Sequence, residues 1–390
     1  MTFAVIEPGA VLGVLGGGQL GALFTTAARR MGYQVAVWDP DPDAPAHALA
    51  QRSFPAPFTD QTTLEQFRSL ASAVTYEWEN VPVGLCETLE SARPVRPSSA
   101  VLRIIQDRLE QKGFLAARGL PVPPFLPLTT FDQLPAVVGK VGYPALVKTA
   151  RAGYDGKGQW RITDASDVKT VQRTLRDSAR PGTRWIVEGL VSFERELSLL
   201  VVRGMDGQTK VYPPAENYHE EGILRTTLVP APVSSELGAR AAALAVQVVE
   251  ALHGIGVFCL ELFHLSTGEL LINEIAPRPH NSGHYTLDAC AVSQFEQQVR
   301  ALCGLPLGDV DLLSAAAMVN LIGEDVNTIM TKPDCRALLD RTGTFLHLYG
   351  KRTIRPRRKM GHVTFLADSL NVVRERAQRL CHGLASGLNA

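Results

Sequence analysis

Residues 256–284 read GVFCLELFHLSTGELLINEIAPRPHNSGH. Two apolar runs, each carrying a glutamate, flank Thr267-Gly268, and this pattern predicts a β-hairpin closed by a two-residue turn. Such a turn places Glu261 directly opposite Glu274. Like charges in that position repel unless a cation lies between them, and carboxylate oxygens suit Mg²⁺. The alternative is a pair of solvated glutamates on an edge hairpin, which fits less well with the apolar residues on either side.

A glycine-rich stretch, GYDGKG at 153–158, precedes this hairpin and lies between two strand-like runs, ALVKTA and QWRI. It is not a P-loop, because that motif has a glycine where Arg151 stands and a Ser or Thr where Gly158 stands. We interpret it as a flexible loop that closes over phosphates while Lys148 supplies a point charge beneath them. A simple hairpin loop accounts for the same residues, because Gly, Asp and Lys are common in turns.

The first hundred residues alternate apolar runs with helical stretches. AVLGVLG, QVAVWDP and AVTYEWENV are typical of strands, and the resulting βαβαβ order predicts a parallel, doubly wound sheet. The turn with Gly16, Gly18 and Gly21, followed by Asp39 at the end of the next strand, matches the dinucleotide fingerprint. Turns between a strand and a helix also favour glycine for tight packing. An NAD-dependent oxidoreductase is therefore one interpretation of this region among others.

The remaining sequence predicts further helices and strands. Helices are expected over about residues 19–31, 63–72, 100–118, 167–178, 236–252, 293–302 and 368–381. Ser98 or Ser99 is placed to cap the third of these. The segment 119–128 contains four prolines and is interpreted as a rigid connection. The last seventy residues, with strand-like FLHLYGK and HVTFLA, predict a small α+β unit.

Length and charge narrow the function classes. The chain has 390 residues, with 39 Lys plus Arg and 39 Asp plus Glu. The length excludes a single small binding module. Because the charges balance, the chain has no net positive charge that would attract nucleic acid or an anionic membrane. Hydrophobic residues at 45% and charged residues at 20% are typical of a globular protein.

Two features of the sequence bear on the subcellular location of the protein: the distribution of its cysteines and an uncharged segment near the N-terminus. Six cysteines are scattered without a C-x-x-C pair, which favours a reduced, cytoplasmic protein. Residues 9–28 carry no charge, but their glycine-rich interior lacks the large apolar side chains of a membrane span. We therefore expect neither a membrane nor a nucleic-acid partner.

Several strings occur in order between about residues 10 and 366: GGGQLG, YEWENV, KTARAGYDGKGQW, VEGLVSFERELS, HEEGIL and APRPHNSGH. Together they resemble the N5-carboxyaminoimidazole ribonucleotide synthetase family of ATP-grasp enzymes. The resemblance implies an α/β and α+β fold of ATP-grasp architecture. It implies an N-terminal, Rossmann-like domain with a doubly wound parallel sheet at 1–107, an ATP-grasp domain at 108–310 with a lid subdomain at about 140–190, and a small C-terminal α+β domain at 311–390.

The same resemblance implies a reaction. The family carboxylates 5-aminoimidazole ribonucleotide with bicarbonate and ATP, giving the N5-carboxy product, ADP and phosphate through carboxyphosphate, in de novo purine biosynthesis. It implies Mg²⁺ as the metal, with Mn²⁺ as an alternative, and a homodimer. A nucleotide-binding ATP-grasp protein without catalysis is a rival interpretation, but Lys148, Glu261, Glu274 and Arg278 together favour an enzyme.

Site residues follow from the resemblance position by position. For ATP it implies Arg108, Lys148, Gly153, Tyr154, Asp155, Gly156, Lys157, Gly158, Gln159, Glu188, Gly189, Leu190, Val191, Glu196, His219, Asn273 and Glu274. For the ribonucleotide it implies Gln19, Leu20, Glu77 or Glu79, Tyr154, Lys157, Arg278, His280, Asn281, Ser282, Lys351, Arg358 and Lys359. Glu261 and Glu274 would hold the metal ion.

Catalytic roles are assigned to three of these residues. Lys148 neutralises charge as the γ-phosphoryl group leaves, Arg278 holds bicarbonate and phosphate oxygens, and Asp155 accepts the amine proton. The basic run KRTIRPRRKMGH at 351–362 would grip the ribonucleotide 5′-phosphate, although by itself it is typical of a solvated basic face. Ala152 replaces a glycine usual in the family, and Ala276 replaces an asparagine common in ATP-grasp enzymes.

Overall fold

The computed structural model describes residues 5–151 and 158–385. Its strands are β1 (Val11–Leu15), β2 (Gln34–Trp38), β3 (Arg52–Phe54), β4 (Ala73–Tyr76), β5 (Phe125–Leu128), β6 (Ala145–Thr149), β7 (Gln159–Ile162), β8 (Trp185–Gly189), β9 (Arg195–Arg203), β10 (Thr209–Val211), β11 (Ala215–Glu220), β12 (Ile223–Val229), β13 (Gly256–His264), β14 (Leu270–Ala276), β15 (Ala315–Ile322), β16 (Thr344–Leu348) and β17 (Lys359–Ala367).

Its helices are α1 (Gln19–Arg30), α2 (Gln61–Leu70), α3 (Val83–Glu90), α4 (Ser99–Ile105), α5 (Arg108–Ala116), α6 (Leu134–Val141), α7 (Asp167–Ser178), α8 (Ser235–Ala251), α9 (Thr286–Ala289), α10 (Gln294–Cys303), α11 (Asp325–Thr331), α12 (Pro333–Leu339) and α13 (Leu370–Ala385). Within the described ranges, no helix is both long and apolar enough to cross a membrane.

The N-terminal sheet has the strand order β3-β2-β1-β4, and all its pairs are parallel. This confirms the predicted doubly wound sheet. Strand β3 and helix α3 were not predicted, and a strand of three residues is too short to show a period. Placing β4 beside β1 brings the chain after Tyr76 next to the glycine turn after Leu15.

The expected helix at 100–118 is two helices, which corrects the prediction. Ser98 caps α4 by accepting a hydrogen bond from the Val101 N–H, as expected for one of the two serines. The helical pattern is then interrupted at Asp107, whose side chain accepts the Leu109 N–H at 3.0 Å and begins α5. Aspartate stabilises helix starts in this way.

The lid sheet has the order β5-β8-β6-β7 and is antiparallel throughout. Strand β5 lies in the segment that was expected to be only a rigid connection. Pro127 is part of this strand, which is tolerated because β5 is at the edge of the sheet. Helices α6 and α7 cover one face through a core that includes Val138, Val147 and Leu175.

The central sheet has the order β14-β13-β9-β11-β12-β15-β17-β16, with β10 paired to β9. Strand β15 pairs directly with β12, so the strands of the last seventy residues continue this sheet rather than forming one of their own. On β13, Leu260 and Leu262 pack in the core with α8. Side chains alternate along a strand, so Glu261 faces the opposite side.

Candidate active site

The hairpin β13–β14 brings Glu261 and Glu274 into direct cross-strand register, which confirms the predicted pair. The predicted two-residue turn is wrong. Leu265 N–H donates to the Glu269 carbonyl at 2.9 Å, so the loop between them has one residue more. The ladder shifts by one residue beyond Glu261, where Asn273 is the extra residue of a β-bulge. The bulge compensates for the longer loop and restores the register.

Each of the two carboxylates lies beside a basic side chain, Glu274 beside Arg108 and Glu261 beside His280. Burial and the neighbouring Glu274 raise the pKa of Glu261 above its ordinary value. Arg108 Nη1 donates to Glu274 Oε2 at 2.8 Å. His280 Nε2 lies 3.4 Å from Glu261 Oε1, but burial, Arg278 and other cations hold the pKa of His280 well below its usual range, so this histidine is neutral. A hard divalent cation such as Mg²⁺ fits this set of oxygen ligands.

Lys148 and Glu188, which the resemblance assigns to ATP, lie together on the lid sheet. Their strands, β6 and β8, are paired, and Lys148 Nζ donates to Glu188 Oε2 at 2.7 Å. Glu188 is also close to Arg108, which neighbours the carboxylate pair, and the region between the lid sheet and this pair is called the cleft. Burial alone would raise the pKa of Glu188, yet the cations Lys112 and Lys148 outweigh burial and lower it. Glu188 is therefore ionised at neutral pH, and its partner Lys148 lies on the neighbouring strand.

Other residues predicted to contact ATP lie on β9, β11, β7 and the chain that follows β8. Glu196 on β9 forms a hydrogen bond with His219 Nδ1 on β11. Burial alone would lower the pKa of His219, but this hydrogen bond and the nearby Glu261 outweigh burial and raise it. Past β8, the chain at 189–191 is fixed by hydrogen bonds from the Gly189 and Leu190 N–H groups to Pro124 and Pro144 carbonyls. Gln159 pairs with Lys148, and the Gly158 carbonyl accepts the Thr149 N–H. Gly153, Tyr154, Asp155, Gly156 and Lys157 lie outside the described residues.

On the side predicted for the ribonucleotide, Arg278 pairs with Glu79, and this pairing raises the pKa of Arg278 against the effect of burial. Ser282 Oγ lies 2.9 Å from His280 Nδ1. Asn281 is buried, and among the described residues neither its amide oxygen nor its amide nitrogen has a hydrogen-bond partner. A buried amide without partners is costly, so it fits a position that a bound ligand satisfies.

The basic C-terminal run reaches the N-terminal domain. Lys351 Nζ donates to Gln19 Oε1 at 2.6 Å and to the Lys359 carbonyl at 2.7 Å. Arg358 bonds the Thr353 carbonyl at 2.8 Å. The side chain of Leu20 is buried in the N-terminal core, so only its backbone can contact a substrate. Gln19 and Lys351, from opposite ends of the chain, are therefore in direct contact.

The N-terminal glycine turn binds the chain's own carboxylates. Glu77 accepts the Gly18 N–H at 2.8 Å and the Gly21 N–H at 3.2 Å. Asp39 Oδ2 accepts the Gly17 N–H at 2.6 Å. These are the amide groups that a dinucleotide phosphate would use. A side chain at Gly18 would approach Glu77 Oε1 to 2.9 Å, so the glycines admit Glu77 and need no nucleotide to explain them.

Comparison with known proteins gives the family. A ribonucleotide synthetase preATP-grasp domain matches residues 10–106, an ATP-grasp domain matches 113–295, and a phosphoribosylaminoimidazole carboxylase C-terminal domain matches 316–376. The N5-carboxyaminoimidazole ribonucleotide synthase of Bacillus subtilis is 41% identical over 366 residues, which is 94% of each chain. The chain belongs to this synthase family. It is accordingly an ATP-grasp ligase, and the ATP-grasp architecture implied by the sequence is confirmed.

Solved members of the synthase family have the same fold along nearly the whole chain. An N5-carboxyaminoimidazole ribonucleotide synthetase solved with ADP has a TM-score of 0.92 at 38% identity and covers 99% of both chains. The Aspergillus clavatus synthase, solved with ADP and 5-aminoimidazole ribonucleotide, has a TM-score of 0.88 at 30% identity, covering 97% of this chain and 99% of that one.

Two groups of residues in this synthase escaped the sequence analysis. Lys112 is buried beneath the cleft, and the signal that could have revealed it is its position four residues after Arg108 on one helix. The second group is Asp288, His347 and His362, which come from distant segments and carry no shared local pattern.

This histidine group has metal-ligand chemistry but not the geometry of a metal centre. His347 Nε2 lies 2.9 Å from Asp288 Oδ2. The rings of His347 and His362 are stacked, with centroids 4.5 Å apart and planes inclined by 14°. A histidine binds a metal ion in the plane of its ring, and one ion cannot lie in two stacked planes. His362, the last residue of the basic run, has its Nδ1 atom 2.8 Å from the Tyr349 hydroxyl.

Proposed function

We propose that this synthase uses ATP and bicarbonate to carboxylate 5-aminoimidazole ribonucleotide, giving N5-carboxyaminoimidazole ribonucleotide, ADP and phosphate through carboxyphosphate, in de novo purine biosynthesis. The observation that carries the proposal is the register of Glu261 with Glu274 beside Arg108 and Lys148. This arrangement offers two carboxylates for a divalent cation and two cations for phosphates at one place. Its relative from Aspergillus clavatus, solved with ADP and 5-aminoimidazole ribonucleotide, supports the choice of substrate.

For phosphoryl transfer, we assign Glu261 and Glu274 to Mg²⁺, with Mn²⁺ as the alternative ion. When bound, the ion supplies positive charge that offsets charge developing on the phosphates. Arg108 and Lys148 contribute fixed positive charge to the same phosphates. The described ATP residues Gly158, Gln159, Glu188, Gly189, Leu190, Val191, Glu196, His219 and Asn273 keep their assignment.

For carboxylation, we assign Arg278 to bicarbonate and phosphate oxygens, because a guanidinium can bind two oxygens at once. Its ion pair with Glu79 fixes the direction of the group. The partnerless amide of Asn281 is assigned to the ribonucleotide, together with His280 and Ser282. Asp155 keeps its role as acceptor of the amine proton, and closure of the loop at 153–158 would exclude water from the short-lived intermediate.

The ribonucleotide phosphate is assigned to Lys351, Arg358 and Lys359, with the Gln19–Leu20 start of α1 opposite them. Lys359 is close enough to the carboxylate pair to lower the pKa of Glu261, so the basic run extends into the cleft. Glu77 is tied to the glycine turn, and for that reason Glu79 is the better candidate of the two acidic residues.

Domain limits, assembly and location complete the proposal. We divide the chain at residues 107 and 310 and propose a homodimer that needs neither nucleic acid nor a membrane. The six cysteines are free thiols, which supports a cytoplasmic location.

Release of ADP from MgATP tests this function, measured with and without 5-aminoimidazole ribonucleotide, in buffer depleted of or supplied with bicarbonate. We expect release that needs both additions. Release that ignores the ribonucleotide would keep the ATP site but assign another acceptor. No release under any condition would favour a nucleotide-binding protein without catalysis.

A further inference from the structure

Lys112 lies beneath the proposed ATP cleft and has no role in the function proposed above. Its side chain is only 1% exposed. The Nζ atom donates to the Asn273 carbonyl at 3.1 Å and lies 3.8 Å from Glu188 Oε1. Burial lowers the pKa of Lys112 to about 8 although Glu188 acts in the opposite direction. A lysine is almost never buried so completely unless its partners compensate for lost hydration.

The first partner, Asn273, is the bulge residue that keeps Glu274 opposite Glu261. A bulge interrupts the regular ladder, so its backbone groups need other partners. Lys112 provides one of them. The preceding residue of α5, Gln111, accepts the Ile275 N–H at 3.2 Å and donates to the Ile275 carbonyl. Side chains of α5 therefore hold β14 where a neighbouring strand would otherwise lie.

The second partner, Glu188, belongs to the lid sheet. Lys148 holds its Oε2 atom, whereas Oε1 is buried without a hydrogen-bond partner among the described residues. Lys112 Nζ lies 3.8 Å from this oxygen. One buried ammonium group thus lies between a carboxylate of the lid sheet and the backbone of the strand that carries Glu274.

We infer that Lys112 is a positioning residue, which fixes the Asn273 bulge relative to Glu188 and so keeps the metal carboxylates in register with the nucleotide site. This inference rests on the proposed assignment of Glu261 and Glu274 to Mg²⁺. Lys112 contacts the Asn273 backbone and Glu188 rather than the side chains of Glu261 and Glu274. Its removal should therefore weaken the coupling between Mg²⁺ and nucleotide rather than remove either site.

The test is ADP binding by calorimetry over a range of Mg²⁺ concentrations, in wild type and in Lys112→Met. Methionine keeps the length and apolar character of the side chain but removes the donor and the charge. We expect the Mg²⁺ concentration for half-maximal tightening to rise about 10- to 100-fold, as for residues that support metal ligands. ADP affinity without Mg²⁺ should change much less. A folded Lys112→Met protein with an unchanged Mg²⁺ midpoint would overturn the inference.

Two further variants exclude a merely structural effect. Gln111→Met loosens the same strand without touching Asn273 or Glu188, so it should leave the Mg²⁺ midpoint close to wild type; an equal shift would overturn the inference. Lys112→Gln retains an N–H donor and replaces Lys112→Met in the test if the latter does not fold. We again expect the Mg²⁺ midpoint to rise. Because ADP binding can be measured without turnover, this test can be interpreted even if the carboxylation assay fails.

Discussion

Two regions of the molecule hold buried carboxylates in opposite situations. At the N-terminal turn, both oxygens of Glu77 accept backbone N–H groups, so the chain supplies its own anion where the sequence suggested a dinucleotide. In the cleft, Glu261 faces Glu274, and burial together with this like charge raises the pKa of Glu261. A pattern that resembles a ligand site can be satisfied internally, whereas two facing like charges are difficult to explain without a ligand.

The largest expected effect is a loss of catalytic activity when a carboxylate of the cleft is replaced. Glu261→Gln should lower the rate of ADP release by about 10²- to 10³-fold, because stabilisation of transition-state charge is lost. Its metal-free stability in urea should equal or exceed that of wild type, since the substitution removes a buried like charge. Near-normal turnover at the same Mg²⁺ concentration would contradict the assignment.

The same comparison predicts a loss of stability at the other region. Glu77→Ala leaves the Gly18 and Gly21 N–H groups without their acceptor, and we expect the free energy of unfolding to fall by about 1–3 kcal/mol. Urea denaturation measures this change. Affinity for MgADP, measured by calorimetry, should not alter, and if it weakened while stability did not, Glu77 would belong to the nucleotide site instead.

The smallest effect is the response of these regions to acid. Burial raises the pKa of Glu77 above its ordinary value of 4.5. Its contribution to stability is therefore greatest below pH 4.5 and declines as the pH rises through the folded pKa. Burial also opposes ionisation of Glu188, but Lys112 and Lys148 lower its pKa below 4.5. Its contribution is present above pH 4.5 and is lost as the pH falls through the folded pKa.

Urea unfolding of Glu77→Gln and Glu188→Gln between pH 7 and pH 4 should show these opposite trends. The destabilisation caused by Glu77→Gln should grow in acid, and that caused by Glu188→Gln should shrink. Each trend should amount to about 1 kcal/mol per unit of pKa shift. If the destabilisation changed in the same direction with pH in both variants, the pKa values of Glu77 and Glu188 would be shifted in the same direction, contrary to the prediction.

The sequence predicted the pairing of Glu261 with Glu274, but for an incomplete reason. A simple count from the turn gave the right partner because two departures cancel, a longer loop and the bulge at Asn273. Neither departure has a clear local signal. The strings shared with the synthase family supplied the identity of the site residues, which residue spacing alone would have left open.

Other features escaped because they depend on contacts distant in sequence. Glu77 reaches Gly18 only because β4 lies beside β1, and the sequence does not state the order of strands. The pairing of β15 with β12 is a similar case, so the C-terminal strands were expected to form a separate unit. The interruption at Asp107 is a different case, because its cap is local. It was missed because the helical pattern continues on both sides of it.

The covering of β14 by α5 has a consequence for how the enzyme behaves in solution. An outermost strand normally offers open N–H and C=O groups to other chains, which promotes edge-to-edge aggregation. Gln111, Lys112 and the Pro121 carbonyl occupy such groups between residues 272 and 275. The helix that holds the Glu274 strand in place therefore also protects this edge against edge-to-edge aggregation, so substitutions at Gln111 or Lys112 should lower solubility.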